Sequence, residues 1–272
     1  MIDLKGHTAL VTGASSGLGV AFARHLAARG ADLVITARRE ENLRSLAAEL
    51  SAKHNVKVEV IALDLSEPSA AKTLYDRTEG AGRSIDVLIN NAGGGIHQYF
   101  ADIPWDQTAR QIQLNVTSLT ELTHRFVKPM LARGRGWILN VASIGAYTPS
   151  PTYATYSAGK AYVRDFSEAI AYELRNTPIR VCCLCPGGTL TEFHKASGQE
   201  LPPIFRSTFM TAEKCARIGL DSLFGWRRNV VSGVTNKIAM WLLRFMPRRM
   251  IVWSAAITMG KPKPPAALPA PQ

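Results

Sequence analysis

Tyr156 and Lys160 stand four residues apart in a stretch patterned as a helix, so both side chains leave one face about a turn apart. A tyrosine with its reference pKa of ~10 is a poor proton shuttle near neutrality. A nearby ammonium favours the phenolate and would lower that pKa, making Tyr156 a usable acid or base. Upstream, Ser143 ends an apolar, strand-like run at the edge where open α/β sheets bind ligands. Its hydroxyl can hydrogen-bond a carbonyl oxygen as negative charge develops there. Together the three suit proton transfer at a carbonyl or alcohol oxygen.

A second constellation opens the chain. A strand over 8–12 runs into Thr-Gly-Ala-Ser-Ser-Gly-Leu-Gly, in which Gly13, Ser15, Ser16, Gly17, Leu18 and Gly19 precede a helix. So tight a turn needs Gly13; a backbone approaching pyrophosphate needs Gly17 bare; Gly19 lets helix and strand pack closely. The helix start then offers free N–H groups to phosphate. Where an NAD site would carry an acid at the end of the next strand, this chain has Ala37 followed by Arg38 and Arg39. Two guanidinium forks suit the extra 2′-phosphate of NADP, with simple coverage of the sheet edge as the bland alternative.

The elements that must position these groups alternate along the first two thirds of the chain. Strand-like runs over 8–12, 32–36, 56–63, 87–90, 136–141 and 179–185 are separated by helical patterns over 18–29, 40–53, 105–132 and 154–174. That is the rhythm of βαβ units, and the nearly continuous apolar strands imply a parallel sheet covered on both faces. After Gly187 the rhythm breaks; residues 188–210 read as a mobile insertion, 211–224 as a further helix, and 261–272, with five prolines, as a disordered tail. The expected division is a catalytic unit over 1–233, a basic amphipathic segment over 234–260, and the tail.

With 46% hydrophobic and 19% charged residues among 272, the composition is that of a globular protein and excludes disorder, collagen and repeat arrays. Asp3 and the early strand leave no secretory signal, so a cytoplasmic protein is expected. Cys182, Cys183, Cys185 and Cys215 lack metal-site spacing and read as buried thiols, and no metal site is expected. Of the net +11, eight charges lie beyond Asp221, where no acidic residue occurs. Charge confined to one segment, without a groove-reading motif, speaks against nucleic acid. Lys237, Arg244 and Arg248 would share one face of a helix over 236–246, with Ala239, Leu242, Leu243 and Met246 opposite, unless Pro247 starts a second helix over 248–258. Two readings stay open. The apolar side packs on the sheet or a partner subunit, or this Trp-containing segment lies on an anionic membrane surface beside the site.

The whole pattern resembles the short-chain dehydrogenase/reductase family. The glycine turn, Asn90 to Gly93, Asn115 in Gln-Leu-Asn-Val, Ser143, Tyr156 to Lys160 and the pair Pro186 and Gly187 occur in family order and spacing. The resemblance implies a doubly wound, mostly parallel (Rossmann) sheet, NADP as cofactor, and a small-molecule carbonyl or alcohol substrate. It implies that Tyr156 exchanges the proton, Lys160 tunes it and binds the nicotinamide ribose, Ser143 orients the substrate oxygen, and Asn115 holds a water that connects Lys160 to solvent. Asp64 and Leu65 would lie at adenine; Asn91, Ala92 and Gly93 would line the dinucleotide; Pro186, Gly187, Thr189 and Thr191 would lie near the nicotinamide. Ser16 and Thr189 depart from the family pattern, the first leaving the 2′-phosphate to Arg38 and Arg39. The helices carrying Asn115 and Tyr156 would form the interface of a homodimer or higher homo-oligomer. Ile144, Tyr147, Tyr153, Phe100, Phe193, Phe205 and Phe209 are expected to build a pocket for a bulky apolar or aromatic carbonyl. His97 and His194 are expected to be surface residues rather than polar contacts. A non-catalytic NADP-binding protein and a lyase or epimerase of the same superfamily are the competing readings.

Overall fold

The computed structural model describes residues 2–199 and 209–262. Seven strands form one parallel sheet: β1 (Thr8–Thr12), β2 (Asp32–Ala37), β3 (Val58–Ala62), β4 (Val87–Asn90), β5 (Gly136–Val141), β6 (Ile179–Cys185) and β9 (Asn229–Val231). Their order is β3-β2-β1-β4-β5-β6-β9, which reverses direction between β1 and β4 and opens a crevice at the carboxyl ends there. A two-stranded ladder, β7 (Thr189–Leu190) with β8 (Met210–Thr211), brackets residues 191–209.

Helices cover both faces. On one, α1 (Gly17–Ala27), α2 (Glu40–His54) and α8 (Ala212–Phe224) bury Phe22, Leu26, Leu43, Leu220 and Leu223 against the sheet. On the other, α3 (Ala70–Asp76), α5 (Ser118–Arg133) and α6 (Ala154–Glu173) bury Leu74, Leu122, Phe126 and Ala171. The second face also carries a buried polar chain. Asn90 donates to Thr123 and to Asn140, which donates to Ser167, tying β4 and β5 to the helices behind them. Groups so buried are costly unless paired, and this pairing fixes where β5 ends and Ser143 begins.

Four sequence expectations need correction. The run over 105–132 is not one helix. α4 (Trp105–Ile112) passes into a π-helical turn (Gln113–Thr117) before α5, and the extra residue carries Asn115 into the interior. The insertion contains the β7–β8 ladder and a short α7 (Phe193–Ser197); Pro202, Pro203 and Phe205 lie outside the described residues. β9 was not anticipated: a three-residue strand is too short for periodicity to register. Finally, the helix expected over 236–246 ends early, as α9 (Val234–Leu242) plus a tight turn (Leu243–Phe245), while Pro247 starts a second helix, α10 (Arg248–Met259), as its position led one to expect. Arg244 therefore lies in the turn and Arg248 in α10, so neither shares the helix of Lys237. Of the apolar set, Leu243 faces inward whereas Leu242 is half exposed.

All four cysteines are free and buried. Among the described residues no His, Cys, Asp and Glu cluster could hold a metal, and no helix is long and apolar enough to cross a membrane.

Candidate active site

A cleft of about 1020 Å³ occupies the crevice. Its floor is the turn between β1 and α1, fixed by hydrogen bonds that converge from β4. Thr12 Oγ1 donates to the Ile89 carbonyl and accepts from the amides of Asn91 and Ala92 (2.9 Å each), while Asn91 Nδ2 donates to the Thr12 carbonyl. Thr12 is the member of this cradle that motif reasoning passed over. Gly13 and Gly17 have φ of 68° and 53°, and a Cβ on Gly13 would lie 2.9 Å from Ala92 Cα. Gly19 lies behind the wall: its Cβ would meet the Gly13 carbonyl at 2.1 Å, so helix and turn touch as its spacing predicted. The residues present therefore fit a dinucleotide, with bare backbone where a phosphate must come close and a helix N-terminus beneath it.

Ser15, Ser16, Leu18, Arg38, Arg39, Asp64, Leu65, Asn91, Ala92, Gly93, Pro186, Gly187, Thr189 and Thr191 all line this cleft. Two have partners that the sequence did not disclose. The Arg39 guanidinium spans the cleft rim, donating to Glu192 Oε2 (3.0 Å) and to Ser15 Oγ (3.3 Å). Asp64 accepts from Ser66 and from Arg110 (2.9 Å), and these hydrogen bonds and the Arg38 and Arg110 charges outweigh burial and hold its carboxyl below the usual range.

At the inner end, Ser143 follows β5 with extended backbone and accepts from the Gly145 amide (3.1 Å). Tyr156 comes towards it from α6: a Cβ on Gly145 would lie 3.5 Å from Ser143 Oγ and 3.7 Å from Tyr156 Cε1, and the Tyr156 ring lies between Tyr153 and Phe193. Lys160, 4% exposed, donates to the Val141 carbonyl (2.7 Å), its Nζ 5.8 Å from the centre of the Tyr156 ring. Asn115 is not in the cleft lining. Its amide donates to the Gly94 carbonyl (2.8 Å) and accepts from the Gly94 amide (3.1 Å). Gly93 is wedged between the two, since a Cβ there would sit 2.9 Å from Asn115 Oδ1 and 3.2 Å from Lys160 Nζ. Asn115, Ser143, Tyr156 and Lys160 are thus brought together around one bend of chain.

The electrostatics differ from the sequence expectation. Burial pushes the Tyr156 phenol up to about 12, with only the Ser143 hydrogen bond working the other way, and pushes Lys160 down to about 8. Desolvation of the charged forms outweighs the attraction of the ammonium for a phenolate. At neutral pH Tyr156 is a phenol with a proton to give.

The outer pocket holds Ile144, Tyr153, Phe193 and Phe209 as expected. Phe100 and Tyr147 do not belong to it. Phe100 is 60% exposed on the α4–α6 face, and Tyr147 turns away to Asn229 and the Arg164 guanidinium. His97 is buried rather than at the surface, stacked on Tyr153 at 5.0 Å between ring centres; the side chain of His194 lies outside the described residues. The lid comes instead from α9, the turn after it and α10, through Met240, Leu243, Ala255 and Met259. Nothing in the sequence places these in the cleft that holds Tyr156, because only the closure of the fold does so.

A glycine turn at the switch point of a parallel sheet, with Ser, Tyr and Lys at its far end, defines a nicotinamide-dependent oxidoreductase. Residues 7–202 match the short chain dehydrogenase family, and the chain belongs to it. It is 31% identical over 236 residues to a 7beta-hydroxysteroid dehydrogenase of Collinsella aerofaciens, covering 85% of this chain and 88% of that one. To a very-long-chain 3-oxoacyl-CoA reductase of Anas platyrhynchos it is 33% identical over 223 residues, covering 80% and 70%. Among solved structures it is similar to a short-chain dehydrogenase from Sphingobium yanoikuyae in complex with NADPH, with a TM-score of 0.78, 29% identity and coverage of 89% and 97%.

Proposed function

We propose that this protein reduces a bulky, apolar ketone with NADPH, Tyr156 giving the proton. The observation that carries the reading is the convergence of Ser143, Tyr156 and Lys160 on one end of a dinucleotide-shaped cleft, where burial keeps the Tyr156 phenol protonated. A nicotinamide dinucleotide bound there supplies the hydride that adds to the carbonyl carbon. The chain's own residues do the rest. Ser143 orients the carbonyl oxygen, Tyr156 transfers its phenolic proton to that oxygen as charge develops, and Lys160 is the buried cation beside the phenolate left behind. Asn115 holds the bend of chain at Gly94 beside Lys160, where it would hold a water that connects Lys160 to solvent. The glycine turn, Asp64, Leu65, Asn91, Ala92, and Pro186 to Thr191 would cradle the dinucleotide, with Arg38 and Arg39 taking its 2′-phosphate.

Bulk and low polarity of the substrate are supported by Ile144, Phe193, Phe209, Met240 and Leu243 in the lining, and by relatives named for steroids and very long acyl chains. A homodimer fits the apolar groove formed by Phe100, Ile112, Val116, Ala158 and Tyr162 between α4 and α6.

The test is Tyr156→Phe assayed by NADPH oxidation against a panel of bulky ketones. Loss of one phenolic oxygen should lower turnover by roughly 100-fold to 10,000-fold while NADPH binding, followed by fluorescence, is unchanged. Turnover near that of the unaltered protein would remove Tyr156 from the chemistry.

A further inference from the structure

α9 and α10 are two-sided. Asn236, Met240 and Leu243, spaced by four and three residues, face the cleft, as do Ala255, Thr258 and Met259. The pair is anchored from within: Ile251 and Ala255 are buried, Asn236 Nδ2 donates to the Ser232 carbonyl (2.8 Å), and Gln199 Nε2 donates to the Met259 carbonyl (3.3 Å). Their other side is open and rich in large apolar side chains. Ile238, Trp241 and Phe245 are 55%, 55% and 70% exposed, and Trp253 and Ile257 are 67% and 62% exposed. Trp241 and Phe245 touch edge to face, at 5.0 Å between centres, in the open. Apolar surface concentrated in this way marks a contact site.

The charges around it select the partner. Lys237, Arg244, Arg248 and Arg249 are exposed alongside these rings, and no acidic residue follows Asp221 in the chain. A second copy of this chain would set those cations against their own equivalents across a twofold axis. A nucleic acid would pair with the cations but leave the indole and isoleucine side chains in water. Large apolar side chains ringed by cations match the headgroup boundary of an anionic bilayer, which takes both.

We propose that the outer face of α9 and α10 docks on an anionic membrane surface and that the substrate is a lipid-soluble ketone drawn from it. The docking stands on the surface alone; the substrate clause rests on the reductase reading above. Because the helices that meet the membrane also roof the cleft, a molecule leaving the lipid passes Met240, Leu243 and Met259 on its way to Tyr156.

The experiment is co-sedimentation of the full chain with phosphatidylcholine vesicles made with or without phosphatidylglycerol, at low and high salt, with the mass of the protein measured by light scattering. Two variants accompany it: Trp241→Ser with Phe245→Ser and Trp253→Ser, and Lys237→Glu with Arg244→Glu. None of these residues lines the cleft. Each cation near an anionic surface is worth about fivefold in binding. The unaltered protein should therefore bind anionic vesicles at least tenfold better than neutral ones and be released by salt. Both variants should lose that binding at unchanged mass, while reducing a small water-soluble ketone as before. Equal recovery with both vesicles, variants that bind like the unaltered protein, or a variant whose mass drops would overturn the docking, the last by showing a subunit contact. Failure of the reductase reading shows separately, as Tyr156→Phe turnover without any change in sedimentation.

Discussion

Lys160 and Tyr156 occupy neighbouring turns of α6 and are shifted in opposite directions by the same burial, so both neutral forms gain. For Lys160 the shift is from an ordinary 10.5 to about 8. Between those values the unfolded chain keeps a proton that the folded chain has released. Stability from this group therefore rises with pH through that window, and its cost is fully present below about 8. The same titration should mark the reaction. As pH climbs through about 8 the cation beside the nascent phenolate is lost, so kcat/KM for ketone reduction should fall. Lys160→Arg, which stays charged, should be slower but lack the fall. A profile that is flat through pH 8 in the unaltered protein would separate Lys160 from the proton path. Residue types and spacing made this group of four legible, because each side chain's chemistry is local. The direction of the Tyr156 shift was not, because its burial involves Tyr153 and Phe193, which only the folded chain assembles around it.

Among elements, the strands flanking the switch point could be read almost to the residue, since apolar runs buried on both faces carry their own boundaries in Gly, Asn and Asp. The π turn at Gln113–Thr117 could not, because the helical pattern continues through it on either side. Segments that meet across the crevice were equally invisible, and the Arg39–Glu192 pair is the case with consequences. It joins the loop after β2 to the segment after β7, at the position assigned to the 2′-phosphate of NADP. If Arg39 exchanges Glu192 for phosphate, then Glu192→Gln should tighten NADPH by a few-fold and leave NADH unchanged. Arg38→Ala with Arg39→Ala should weaken NADPH by roughly tenfold or more, the scale of lost charge-assisted hydrogen bonds. Dissociation constants for both cofactors decide it; equal losses for NADH and NADPH would place the arginines elsewhere than at the 2′-phosphate.

On the scale of the whole molecule, apolar surface faces away from the core on α4 and α6 and again on α9 and α10, and the two surfaces differ in charge. The first, around Ile112, Ala158 and Tyr162, has no charged side chain in its lining and suits a second copy of this chain. Ala158→Arg, which puts an unpaired charge into that groove, should halve the mass measured by light scattering at micromolar concentration. A protein already monomeric at that concentration would have no such interface to lose. The sulfur atoms give the molecule another property. Cys182, Cys183 and Cys185 are on β6, deep in the sheet, and Cys215 is on α8, each inaccessible while the fold holds. A thiol reagent can react only with chains that have opened, so the rate at which label appears on β6 relative to α8 reads out whether the sheet edge breathes by itself or only with the whole domain. The protein carries a native gauge of its own unfolding, with no probe to be engineered in.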